Sequence, residues 1–215
     1  MRGKNNMSIN WRDFIGRSFI SIVGITLISF GAALSEIMDM GLDPFTAINR
    51  GASSLLGFSL GNYQLVVNLL GLILVFSLKR SLIGWGSLYS MVLIGYQVDF
   101  FNKIFNHFFQ IENINFSIRI LITMIAILIF SLGVAVYMDV DFGISPYDAV
   151  APLIEDKMGW NYTFVRVGQD IIVVLTASLL KGPVGISTVI TGFFAGPLIA
   201  FFSENISKPV TEKLL

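Results

Sequence analysis

The chain has 215 residues, 54% of them hydrophobic and 13% charged, with a mean hydropathy of +0.77 and a formal net charge of zero. Soluble domains carry about 25% charged residues, so this chain lacks the polar surface that water demands and reads as an integral membrane protein. Zero net charge excludes the basic field of a nucleic-acid binder, the lack of cysteine excludes disulfides and thiolate sites, and the single histidine, His107, excludes a histidine-rich metal centre.

About 18 uncharged residues cross a ~30 Å hydrocarbon core as a helix. In chain order the candidates are Ser18–Ser35, a helix at about Asn62–Leu78, Ser81–Val98, Ile120–Met138, Tyr162–Leu180 and Gly182–Ser203. Only Tyr162–Leu180 holds charges, Arg166 and Asp170. Six spans divide the chain into an N-terminal cytoplasmic segment (1–17), a first membrane repeat (18–106), a connecting loop (107–117), a second membrane repeat (118–203) and a cytoplasmic tail (204–215). With the N-terminus inside, the cytoplasmic face collects Arg2, Lys4, Arg12, Arg17, Lys79, Arg80, Lys157, Lys208 and Lys213. The outer face keeps Arg50, Lys103, Arg119 and Lys181. That bias favours both termini inside. The first span also has the basic start of a signal peptide, but the fourth span is its counterpart and cannot be one.

Displacing the sequence by 102 positions pairs Asp39 with Asp141, Gly41 with Gly143, Pro44 with Pro146, Gly57 with Gly159 and Asn68 with Asp170. After a one-residue gap, Ile83–Ser87 meets Val184–Thr188 and Gly95 meets Gly196. Apolar letters match easily in such a chain; glycines, prolines and aspartates do not. Each half carries three spans, an odd number, so the second half enters the membrane upside down. Inverted repeats of this kind recur in secondary transporters, with a site at mid-depth where the halves meet.

Two inserts interrupt the apolar runs at matching places, GLDPFTAINRGASSLLG (Gly41–Gly57) and GISPYDAVAPLIEDKMG (Gly143–Gly159). Asp43 and Ser145 are helix caps, Pro44 and Pro146 suit the first turn, Asp148 completes a capping box, and Gly57 and Gly159 stop the helices. Both inserts therefore read as helices of about 13 residues, near 20 Å long at about 1.5 Å per residue, too short to span. Thr46, Asn49, Arg50 and Ser53 oppose Phe45, Ile48, Ala52, Leu55 and Leu56. Such helices either lie along the membrane surface or dip inward with their N–H groups facing a polar or anionic ligand. Pro152 bends the second helix or loosens its first turns.

Five motifs resemble those of the YczE/YyaS/YitT group of bacterial integral membrane proteins. GLDPF is similar to its Gly-x-x-Pro-Trp pattern, LLGFSLGNYQ to its Gly-x-Ser-x-Gly element, and GISPYDAV to its Gly-x-x-Pro-Arg-Asp pattern. KGPVGIST and AGP resemble its later glycine-rich and Gly-Pro elements. Phe45 stands where tryptophan is usual and Tyr147 where arginine is usual. The place of the acid usual a turn after the arginine of the fifth span is taken by Gln169 or Asp170. The resemblance, from Gly31 to Phe202, implies a bacterial inner-membrane location and the repeat architecture.

Candidate ligand-binding or transport residues follow from cost. Arg166 and Asp170 are ionisable groups inside a span, four apart on one helix face. Either they pair internally, or they line a pathway in which Asp170 carries a proton and Arg166 holds a carboxylate or phosphate. Asn68 is Asp170's repeat partner. Asp148 is a cap or a ligand, and Asp99 is a helix-end charge or a gate residue at the outer mouth. Thr188 begins a small-residue stripe with Gly192 and Gly196. Such a stripe serves close packing in the bundle, sliding between halves, or contact with a second copy in a homodimer. Trp11, Trp85, Tyr63, Trp160 and Tyr162 suit aromatic belts.

The sequence thus predicts an all-α polytopic membrane protein of six transmembrane helices, arranged as two inverted three-helix repeats, each with a short non-spanning helix. It predicts a transporter of a small polar or anionic molecule, or else an accessory protein that binds a lipid or protein partner. The lipid bilayer and an unidentified small-molecule substrate are the expected partners; nucleic acid is not. No nucleotide or catalytic fingerprint occurs, so neither a cofactor, a metal nor an enzymatic reaction is expected.

Overall fold

A computed structural model describes residues 11–109 and 111–215, except for the side chains of Asn113, Tyr162 and Thr163. Arg2 and Lys4, which weigh in the orientation, and the Tyr162 side chain lie outside the described residues. The described chain forms α1 (Trp11–Ile37), α2 (Pro44–Leu56), α3 (Leu60–Leu78), α4 (Trp85–Phe108), α5 (Phe116–Asp139), α6 (Val150–Met158), α7 (Tyr162–Leu179), α8 (Ile186–Phe202) and α9 (Lys208–Leu214). A π-helical turn, Ser203–Ser207, joins α8 to α9.

Four stretches, α1, α3, α5 and Ile186–Leu214, are long and apolar enough to cross a bilayer. The other two long helices carry charges inside them, Asp99 and Lys103 in α4 and Arg166 and Asp170 in α7. Apolar side chains face outward: Leu70, Leu74, Ile172, Leu175 and Leu179 are all exposed. Polar ones turn inward: Ser21, Ser29, Gln64, Asn68, Thr123 and Ser131 are buried. This distribution is unfavourable in water and natural in lipid.

The core begins where α1 crosses α5. Gly24 lies against the backbone of Gly133 and Tyr137, and Gly31 against Ala126 and Phe130, so the two helices run antiparallel. A methyl group at Gly31 would stand 2.6 Å from the Ala126 carbonyl oxygen. Only glycine permits that approach, and close backbone packing is what drives helices together in lipid.

Around this crossing, contacts recur at positions 102 or 101 apart. Leu42 N–H donates to the Pro183 carbonyl (3.0 Å), and Ile144 N–H to the Leu82 carbonyl (3.2 Å). Ser187 N–H donates to Met40 O (2.8 Å), and Gly86 N–H to Phe142 O (2.7 Å). Arg17 donates to Val140 O (2.5 Å) and Arg119 to Met38 O (2.7 Å). Gly41 and Gly143 both have positive φ, 91° and 101°, each pressed on a loop glycine, Gly185 or Gly84. Asp39 and Asp141 match too, at 54° and 51°.

The first insert is the expected 13-residue helix. Asp43 accepts from Thr46 N–H at 3.0 Å and Gly57 ends the helix at φ 72°. Its polar face points into the protein: Thr46, Asn49 and Ser53 are buried while Leu55 and Leu56 are exposed. The second insert is shorter than expected. Pro146–Ala149 form turns, and α6 has only nine residues. Pro152 has no N–H for the Asp148 carbonyl and its ring crowds that oxygen, so the helix forms only from Val150. The third span is also displaced. Residues 81–84 are not α-helical, and α4 runs on to Phe108, ten residues past Val98. Asp99 therefore lies within α4, not at its end.

Candidate functional site

A cavity of about 90 Å³ lies between the halves of the chain, with room for a solute of a few heavy atoms. The start of α2 and the turn before α6 meet there. Phe45 and Tyr147, equivalent positions in the two inserts, stack with ring centroids 4.6 Å apart. Other lining residues fall into equivalent pairs: Asp43 with Ser145, Thr46 with Asp148, Gln64 with Arg166, Asn68 with Asp170 and Ser90 with Thr191.

The second-half members carry a charge cluster. Arg166 donates to Asp148 Oδ1 at 2.8 Å, and its Nε lies 3.4 Å from Asp170 Oδ2. The guanidinium also sits over the Tyr147 ring, 4.9 Å from its centroid. Tyr147 O–H donates to Asp170 Oδ1. Burial first, and then the Asp170 carboxylate, push the Tyr147 hydroxyl well above its ordinary pKa, so it remains a donor. The i,i+4 pair foreseen in the sequence is present, but Asp148 is the closer partner. Arg166 is thus held by two carboxylates and a ring.

The first-half members are neutral or unpaired. Gln64 is buried, and neither its amide oxygen nor its amide nitrogen has a hydrogen-bond partner. Asp43 spends Oδ1 on its cap bond, while Oδ2 is buried without a partner. Burial pushes the Asp43 carboxyl above its usual range; the Thr46 hydrogen bonds oppose this, and Asp148 and Asp170 add to it.

Of the sequence candidates, Arg166, Asp170, Asn68 and Asp148 converge on this cavity. Thr188 does not. Its Oγ1 accepts from Gly185 N–H at 3.0 Å at the start of α8, and it borders a separate apolar cleft between α7 and α8. Asp99 is elsewhere as well, in an ion-pair clasp. Arg50 of α2 binds Glu36 of α1 through Nε (2.6 Å) and Nη2 (2.8 Å), and Asp99 through Nη1 (2.8 Å). Asn102 adds a bond to Glu36, and Asp99 accepts from Gly61 N–H at 3.0 Å. Gln64 and the clasp are invisible to motif reading. The repeat holds one signal for Gln64, which sits 102 positions before Arg166.

Two recesses differ in relation to the cavity. One of about 560 Å³ opens between α5, α7 and α8, bordered by Met138 and Ser203, and shares Asp148, Arg166 and Asp170 with the cavity. The other, about 420 Å³, is a surface depression lined by the clasp residues and shares no residue with the cavity.

Apolar helices whose polar side chains turn inward define an integral membrane protein. The chain belongs to DUF6198, a family of unknown function, whose pattern matches residues 15–204. It is 27% identical to the uncharacterized membrane protein YczE of Bacillus subtilis over 179 residues, 83% of this chain and 81% of that protein. It is 23% identical to YyaS of the same organism over 191 residues, 89% and 94% of the two chains. An uncharacterized protein of Haemophilus influenzae is 24% identical over 189 residues, 88% and 84% of the two. No solved structure matches the chain.

Proposed function

We propose that this protein is a transporter of a small polar solute, working by alternating access around the central cavity. In this reading α1, α3, α4, α5, α7 and α8 span a bacterial cytoplasmic membrane with both termini inside. The two halves are inverted copies, and α2 and α6 dip in from opposite faces. The antiparallel α1–α5 crossing and the paired loop contacts support it. One observation carries it: a cavity with a charge cluster in a largely apolar lining, formed by matching positions of both halves, which shares lining residues with a recess at one end and none with the ion-pair clasp at the other. That arrangement suits a state open to the cytoplasm and closed outside.

An accessory role, holding a lipid rather than moving a solute, draws on the apolar cleft of about 200 Å³ between α7 and α8, lined by Val167, Ile171, Val174, Val189 and Phe193. Flux into liposomes separates the two. Transport predicts solute uptake that Asp170→Asn lowers at least tenfold, because the Arg166 and Tyr147 contacts lose their carboxylate. No uptake across a broad panel of polar solutes would favour the accessory role.

A further inference from the structure

The cavity has three carboxyl groups, Asp43, Asp148 and Asp170, and one guanidinium, Arg166. Arg166 is shared between Asp148 and Asp170, so it offers an anion little attraction that those two carboxylates do not already use. A carboxylate or phosphate entering here meets a net excess of negative charge in a low-dielectric space, which is repulsive. The polar atoms left over are Asp43 Oδ2 and the whole Gln64 amide, all buried and without partners. Buried polar groups are costly without hydrogen bonds, so a solute that satisfies these atoms gains most. Gln64 Oε1 and, once Asp43 is ionised, its Oδ2 are acceptors, and they call for N–H donors. Among the described residues, no three His, Asp or Glu side chains group to hold a metal ion, and the Phe45 ring, stacked on Tyr147, borders the cavity.

Resting on the transport reading, we propose that the cavity takes a small protonated amine, with Asp43 as its counter-ion and the Gln64 amide orienting it. Gln64 Nε2 then serves an oxygen on the solute or a co-bound water. Arg166, Asp148 and Asp170 are the charged groups that face Asp43 across the cavity, and Tyr137 and Tyr147 are its neutral titratable neighbours. The proton that burial favours on Asp43 leaves as the ammonium arrives, so the site exchanges one positive charge for another.

The test is thermal unfolding of the purified full chain in methylammonium chloride, with potassium chloride, acetate and phosphate at matched ionic strength as comparisons. Binding raises the melting temperature by mass action, by roughly 5–11 °C at a hundred times Kd for a chain of this size. The proposal expects a saturable rise with methylammonium alone. It expects that rise to vanish in Asp43→Asn, which keeps a good helix cap, and to weaken in Gln64→Leu. A rise with acetate or phosphate, an equal rise with potassium, no rise at all, or a rise unchanged in Asp43→Asn overturns it. Flux that depends on Asp170 without methylammonium stabilisation sinks this assignment and leaves the transport reading standing; absence of both sinks the two together.

Discussion

The α3–α4 junction and the α7–α8 junction occupy equivalent places in the two halves, yet one is closed and the other open. At the first, Gly95 presses on Gly61: a methyl group on Gly95 would stand 2.8 Å from the Gly61 Cα. At the second, Gly196, the equivalent of Gly95, has nothing within 4 Å. Substitutions between the halves account for this. Met91 fills space that Gly192 leaves empty. Glu36, Arg50 and Asp99 form the clasp, while their equivalents are Met138, Pro152 and Ala200, which cannot. The first half thus has a latched junction and the second an unlatched one. The cavity between them inherits the same division, with the Arg166 charge cluster on one wall and Asp43 beside the Gln64 and Asn68 amides on the other.

The latch is the place to break this contrast. Arg50→Ala leaves Glu36 and Asp99, both largely shielded from solvent, without their cation. Removing one partner of a buried pair costs about 3–5 kcal/mol, and partial exposure brings the expectation to about 3 kcal/mol, read as a lower melting temperature. The same variant should admit a thiol reagent from outside to a cysteine at Asn68, which the intact clasp protects. The equivalent junctions give a finer comparison. Gly95→Ala should cost about 2 kcal/mol by overpacking. Gly196→Ala should stay within about 1 kcal/mol of the parent, since its methyl group meets open space and alanine favours the helix. If α7 and α8 close as α3 and α4 do during transport, Gly196→Ala keeps its stability but loses flux; a variant with both intact shows that this junction never closes.

What the sequence reveals and conceals follows from the range of each interaction. The α2 helix is legible because its cap, Asp43, and its stop, Gly57, act within one turn. The Arg166–Asp170 pair is legible for the same reason. The late start of α6 is half legible: Pro152 announces a defect without saying that four residues remain in turns. Asp148 as the nearer partner of Arg166 depends on how α6 packs on α7. The clasp depends on three helices meeting, and no local pattern marks Arg50 as its centre. The inward polar face of α2 defeats the habit of reading polar as outside, because lipid reverses that preference.

The most direct test uses the absence of native cysteine. Lys79→Cys and Lys181→Cys, each alone, place one thiol after α3 and one after α7, at positions 102 apart. Labelling intact cells with an impermeant maleimide should modify the Lys181 site from outside and leave the Lys79 site untouched until the cells are opened. Modification of both from the same side would contradict opposed halves, and with them alternating access through the central cavity.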